Sequence, residues 1–228
     1  ATGGGRVRGG QALLGASRQR PERYGGEMSQ NLRVELDGDV AIVQITRPPA
    51  NYFDELLITE LADIMDRLAV DGTRAIVLAS EGKHFCAGAD FSSDVMDTDR
   101  TGTSQRLYRQ AIRLFSVKVP VIAAVQGSAV GGGMGLACAA DFRVASSASR
   151  FHANFSILGF HQGFGLSESL PAIVGVQKAL DLLYCSRRID GTVAHELGLV
   201  DRLVEVGQER VAALEWAREI AAAAPLAV

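Results

Sequence analysis

The stretch AAVQGSAVGGGMGLACAAD, residues 123–141, decides how the chain is read. The apolar, β-branched residues Val121, Ile122 and Val125 predict a strand that ends at Gly127. Three consecutive glycines, Gly131, Gly132 and Gly133, then open a small-residue helix running to about Ala140. Glycines directly after a strand let the backbone approach a ligand closely, with N–H groups facing outward. The helix start adds a partial positive charge at the same place. Such a turn favours an oxygen that carries, or is gaining, negative charge. A phosphate cradle and an oxyanion hole both meet that description. The phosphate version fails on detail: no lysine follows the glycines, and no clear acidic residue ends the next strand. The oxyanion version needs a second N–H donor from elsewhere in the chain.

Upstream, the run Ala75–Ala79 has the length of a buried strand and leads straight into GKHFCAGAD, residues 82–90, a second glycine-bearing turn. Before it, Leu32–Leu36 and Val40–Ile45 alternate around Asp37-Gly38, which predicts a hairpin. Asp54 is placed to cap a helix with apolar residues at Leu57, Leu61, Ile64, Met65 and Leu68, stopped by Asp71-Gly72. The polar run 92–103 reads as a loop, and Leu107, Ala111, Leu114 and Phe115 mark a helix after it. Phe142–Ala145 reads as a strand, and the chain after Phe151 as irregular through Gly165. Helices are expected over 167–174, 177–184 and 193–197, then a short strand at 202–204 and a last helix through Trp216 to about Ala224. Strands alternating with helices argue an α/β domain.

A length of 228 residues suits one domain with a self-sufficient core. A net charge of −3 and the lack of basic runs with interleaved aromatics argue against nucleic acid as a partner. No apolar stretch reaches membrane-spanning length, so no membrane partner is expected. Cys86, Cys138 and Cys185 are odd in number and far apart, with no CxxC or Cys/His cluster. They read as reduced thiols, which points to a cytoplasmic setting and no metal. Residues 1–27, rich in Gly and Arg and without periodicity, predict a disordered leader, with the domain spanning 28–228.

The segments at 84–90 (HFCAGAD), 120–146 (PVIAAVQGSAVGGGMGLACAADFRVAS), 157–165 (ILGFHQGFG) and 187–204 (RRIDGTVAHELGLVDRLV) resemble the crotonase, or enoyl-CoA hydratase/isomerase, family. The resemblance runs from about Leu32 onward. It implies a spiral of ββα units with C-terminal helices, assembly as a homotrimer or dimer of trimers, and an acyl-CoA thioester as partner. Coenzyme A then enters as part of the substrate, with no separate cofactor. It further implies that the backbone N–H groups of Ala89 and Gly132 form the oxyanion hole. Ala87, Gly88, Ala89, Asp90 and Phe91 would contact the pantetheine and thioester, with Gly131, Gly132 and Phe155 completing the acyl side and Asn51 near the adenine end. The family's last helical segment is expected to be absent from 28–228.

The same resemblance places two catalytic carboxylates of the hydratases at positions held here by Gly135 and Phe155. Neither residue transfers protons, so the two-glutamate route is not expected, although general acid–base help is worth roughly 10²–10⁴-fold. His161 is the first-choice replacement, an imidazole being suited to proton transfer near neutral pH. His152 is a weaker candidate, and Asn154 offers only hydrogen bonds. Structural roles are expected for Glu168 at a helix start, for Asp90 as a cap, for His84 at a strand end and for Cys86 as a buried thiol. Three functions remain in play: an enzyme working through an enolate, a non-catalytic acyl-CoA binder, and a structural subunit of a mixed trimer.

Overall fold

The computed structural model describes residues 29–90 and 100–224. The leader at 1–27, Phe91 and the 92–99 part of the polar run lie outside the described residues. The fold is mixed α/β, as the alternation of elements requires.

Strands β1 (Leu32–Asp37) and β2 (Val40–Ile45) form the expected antiparallel hairpin, with Asp37 opposite Val40. Gly38, at φ +58°, takes the left-handed conformation that a two-residue turn demands. Helix α1 (Glu55–Val70) follows, and the Asp54 carboxylate accepts from the Leu57 N–H at 2.8 Å, the cap read from sequence. Strand β3 (Ala75–Ser80) pairs parallel with β2, β4 (Val121–Val125) with β3, β6 (Phe142–Ser146) with β4, and β9 (Arg202–Val204) with β6. The sheet order is therefore β1-β2-β3-β4-β6-β9.

A second, three-stranded sheet has β7 (Arg150–His152) between β5 (Ser128–Val130) and β8 (Arg188–Asp190). It arises by repetition. After each of β3, β4 and β6 the chain crosses to this second layer: Cys86 bridges to Ala129 of β5, and β5 pairs parallel with β7. The sequence reading did not place these three short strands, which pair with partners far along the chain.

Helix α2 (Arg100–Leu114) begins earlier than expected; residues 100–103 of the run read as loop are helical. Its apolar residues Ala111 and Leu114 join the core, and Arg106 and Arg113 pair with Glu55, Asp63 and Asp66 of α1. The remaining helices are α3 (Gly132–Ala139), α4 (Leu166–Val174), α5 (Val176–Tyr184), α6 (Gly191–Glu196) and α7 (Glu209–Ala221). The alternation expected in β2 is wrong: all six of its residues are buried. Its second face is covered by α7, where Ala213, Ala217 and Ala221 pack with Val40, Ile42, Val77 and Ile122. Alanines four apart give that helix a smooth side, so it covers the sheet closely. Among the described residues, no helix is long and apolar enough to cross a membrane.

Candidate active site

The two glycine-bearing turns meet because the chain segments before them are zipped together. Leaving β3, Phe85 N–H donates to Gln126 O (2.9 Å) and Cys86 N–H to Ser128 O (3.0 Å), while Val130 N–H donates to Cys86 O (3.0 Å). Cys86 thus stands opposite Ala129. Three residues further along each segment lie Ala89 and Gly132. Gly88, at φ +102°, lets the first turn close on the second; a Cβ there would sit 3.0 Å from Val130 O and 3.8 Å from Gly132 N.

The direction of the Ala89 amide follows from its neighbours. Phe53 N–H donates to Gly88 O (3.0 Å) and Asp90 N–H donates to Phe53 O (2.9 Å). In extended backbone, successive peptide groups alternate sides, so the Ala89 N–H points away from Phe53. Gly132 is the first residue of α3, whose opening N–H groups have no partner within the helix. Among the described residues, neither the Ala89 nor the Gly132 N–H forms a hydrogen bond. Both residues line one cavity of about 250 Å³, together with Ala87, Gly88 and Gly131.

Close packing explains the glycines of α3. A Cβ on Gly133 would lie 2.0 Å from Cys86 O, where the backbones of the two turns touch. A Cβ on Gly135 would lie 2.6 Å from the Cβ of Phe164 and 2.8 Å from its carbonyl oxygen. Phe164 is buried, adopts φ +53°, and meets the Phe53 ring in a tilted pair with centroids 5.2 Å apart. The space beside Gly135 is thus filled by an aromatic residue from the segment before α4.

The opposite wall carries side chains: Asn154, Phe155, Leu158, Phe160, His161 and Phe164, joined by Ser104, Leu107 and Tyr108 of α2. His161 is exposed; its Nδ1 lies 3.1 Å from Gln162 O. His152 does not line the cavity, and its Nε2 lies 3.0 Å from Ser186 O. Asn51 is fully buried, with its amide donating to Glu81 O (2.8 Å) and His84 O (2.6 Å) and its Oδ1 accepting from Arg47 N–H (3.0 Å). Its side chain holds the turn after β2 rather than facing the cavity. His84 accepts from Ser128 N–H at 3.3 Å, a local structural bond. Glu168 stands in the first turn of α4. Asp90 contributes its N–H to Phe53, and the helix start it was expected to cap falls outside the described residues. Burial pushes the Cys86 thiol up to about 12 and the Cys138 thiol to about 11, so both stay protonated at neutral pH. Among the described residues, no three His, Cys, Asp or Glu side chains gather to hold a metal ion.

Phe53, Ser104 and Tyr108 line the cavity unannounced by the sequence. The only signal for Tyr108 was its place next to the apolar stripe of α2; for Phe53 there was none, since it acts through a single isolated bridge.

The chain matches the profile described as enoyl-CoA hydratase/isomerase over residues 35–228. It is 35% identical over 173 residues to a probable enoyl-CoA hydratase of Bacillus subtilis, covering 74% of this chain and 67% of that protein. It is 34% identical over 206 residues to a short-chain-enoyl-CoA hydratase of Clostridium acetobutylicum, covering 87% of this chain and 78% of the other. A crystal structure of enoyl-CoA hydratase from Bacillus anthracis superposes with a TM-score of 0.82 at 33% identity, over 87% of this chain and 80% of that one. On the profile match and these relatives, the chain belongs to the enoyl-CoA hydratase/isomerase family.

Proposed function

We propose that the protein binds an acyl-CoA with its thioester oxygen between the N–H groups of Ala89 and Gly132, and that these donors stabilise the enolate formed at the α-carbon. The observation that carries this reading is the convergence of two unpartnered backbone N–H groups, from turns locked three residues past one bridge, on a single cavity. Fixed donors of this kind act where charge develops, and losing one costs about 3–4 kcal/mol of barrier. The backbone of Ala87 to Asp90 and of Gly131 flanks the thioester, and Phe155 borders the acyl group. His161 removes or returns the α-proton. It is exposed, lines the cavity, and its Nε2 is not engaged by any described residue. The two-carboxylate hydratase route is not used: position 155 is a phenylalanine, and position 135 has no room for a side chain.

A second reading, a non-catalytic acyl-CoA grip, is favoured by that same filled space at Gly135. One set of measurements separates the two. Titration calorimetry with butyryl-CoA and with its thioether analogue S-butyl-CoA tests the carbonyl grip; equal affinities would sink it. Deuterium exchange at the α-carbon of butyryl-CoA in D₂O, followed by NMR, tests the enolate. His161→Ala is expected to stop exchange and spare binding. Binding with no exchange by the unmodified protein leaves the non-catalytic grip. Rapid loss of the enoyl absorbance of crotonyl-CoA would overturn the claim that hydration is not the activity. Assembly as a homotrimer or dimer of trimers is part of the proposal and is measured by sedimentation.

A further inference from the structure

We infer that Tyr108 is a specificity-determining residue, whose phenol O–H receives an oxygen carried by the acyl group beyond the thioester; the inference rests on the acyl-CoA reading above. Tyr108 comes from α2, a different element from either turn, and lines the cavity. Its Oη lies 2.5 Å from the point that a Cβ on Gly163 would occupy, and Phe155 Cε1 lies 3.0 Å from the same point. The hydroxyl therefore enters beside the Phe155 ring through space that exists because residue 163 is glycine. The ring also reaches the glycine turn: Phe155 Cζ is 3.9 Å from the Cβ position of Gly131. The phenol thus stands one aromatic ring away from the glycine turn at Gly131.

The chemistry of the surrounding wall makes this hydroxyl selective. The cavity wall is mostly apolar, with Leu107, Phe155, Leu158, Phe160 and Phe164, beside the polar side chains of Ser104, Asn154 and His161. Among the described residues, Tyr108 Oη forms no hydrogen bond. A hydroxyl that a bound ligand cuts off from water must regain a partner or the complex is penalised. A plain alkyl chain provides none, whereas a hydroxyl or oxo group on the acyl chain does. Sites built to meet a polar group reject the analogue that lacks it more strongly than apolar sites reject an added group.

The test is calorimetry on the full chain with butyryl-CoA, 3-hydroxybutyryl-CoA and 4-hydroxybutyryl-CoA, for the unmodified protein and for Tyr108→Phe. The unmodified protein is expected to bind one of the hydroxylated esters about three- to tenfold tighter than butyryl-CoA, the range of one neutral hydrogen bond. Tyr108→Phe should erase that preference, with butyryl-CoA binding rising toward the hydroxylated ester once the unpartnered hydroxyl is gone. Gly163→Ala, whose methyl group displaces the phenol, should erase it with the tyrosine still present. Equal affinities in the unmodified protein, or a preference that persists in Tyr108→Phe, would overturn the inference. The thioether control keeps its failure distinct: S-butyl-CoA binding as well as butyryl-CoA removes the carbonyl grip, while a lost hydroxyl preference with that grip intact removes only the role of Tyr108.

Discussion

The two walls of the cavity are built by opposite means. One is backbone: the turns ending at Ala89 and Gly132 are cross-linked by amide hydrogen bonds, and Gly132 and Gly133 lie against the Phe53 ring and the Cys86 main chain with no room for a methyl group. The other is side chain: its segment runs through a single 3-10 turn at Ser156–Leu158, and Ile157 is 66% and Phe160 57% exposed. A wall made of packed backbone holds its N–H groups in fixed positions, as a grip on one oxygen requires. A wall made of exposed side chains tolerates exchange of one residue for another at little cost in stability. The two walls therefore differ in mutational freedom.

Gly133→Ala offers the hardest trial of that contrast. Its new methyl group meets Cys86 O at 2.0 Å and Cys86 C at 2.7 Å, all main chain that cannot turn aside. A loss of at least about 3 kcal/mol is expected in urea unfolding, at the upper end for overpacking. Phe160→Ala on the opposite wall should cost under about 1 kcal/mol, because the ring is already largely in water. Comparable losses in the two variants would break the distinction between the walls.

Gly135→Glu comes next, with an expected loss of about 1–3 kcal/mol. The new side chain must displace Phe164, whose Cβ and carbonyl occupy its place. No gain in crotonyl-CoA hydration is expected, since the carboxylate cannot settle where a ring and a backbone oxygen already sit. A stable Gly135→Glu protein that hydrates crotonyl-CoA would show the aromatic plug to be soft and the second wall to reach less deeply than described.

The backbone wall was legible in the sequence because glycine is informative only where nothing else fits. The run Gly131–Gly133 after an apolar strand, and Gly88 after another, identified both turns before any geometry was known. The hairpin, α1 with its Asp54 cap, and the strands of the large sheet were legible from periodicity for the same local reasons. Burial of β2 on both faces was not, because α7, which covers it, lies some 170 residues downstream and shares no local pattern with it. Nor was the turn-holding role of Asn51, whose partners Glu81 and His84 are 30 and 33 residues away. The side-chain wall was read only in part. His161, Phe155 and Asn154 were singled out, but Tyr108 arrives from another helix, and helix-to-wall proximity is a tertiary fact.

The thiols report on the backbone wall through pH. Burial raises Cys86 to about 12 and Cys138 to about 11, against an ordinary value of 9.0. Below pH 9 both folded and unfolded chains carry the protonated thiol, and stability is unaffected. Above it the unfolded chain loses protons that the folded one keeps, so stability falls as pH rises, by up to about 1.4 kcal/mol per pH unit for each thiol. The fall attributable to Cys138 ends near pH 11 and that of Cys86 near pH 12. Cys138→Ala should flatten the decline measured by urea unfolding between pH 9 and 11, relative to the unmodified protein. An unchanged slope would mean the thiol reaches water in the folded state and α3 is looser than its packing indicates.

His161→Ala should give the smallest change in stability and thereby the cleanest view of the other wall. The imidazole is exposed, and its one described bond runs to the carbonyl of its neighbour Gln162. Removing it should shift the unfolding free energy by under about 0.5 kcal/mol. If the proton on the α-carbon passes through this ring, the same substitution should reduce deuterium exchange by 10²-fold or more, the scale of general acid–base assistance. It should leave butyryl-CoA affinity in place, because the N–H groups of Ala89 and Gly132 belong to main chain that the substitution does not touch. A variant that loses affinity and exchange together would tie His161 to the grip itself, and the division of labour between the two walls would fail.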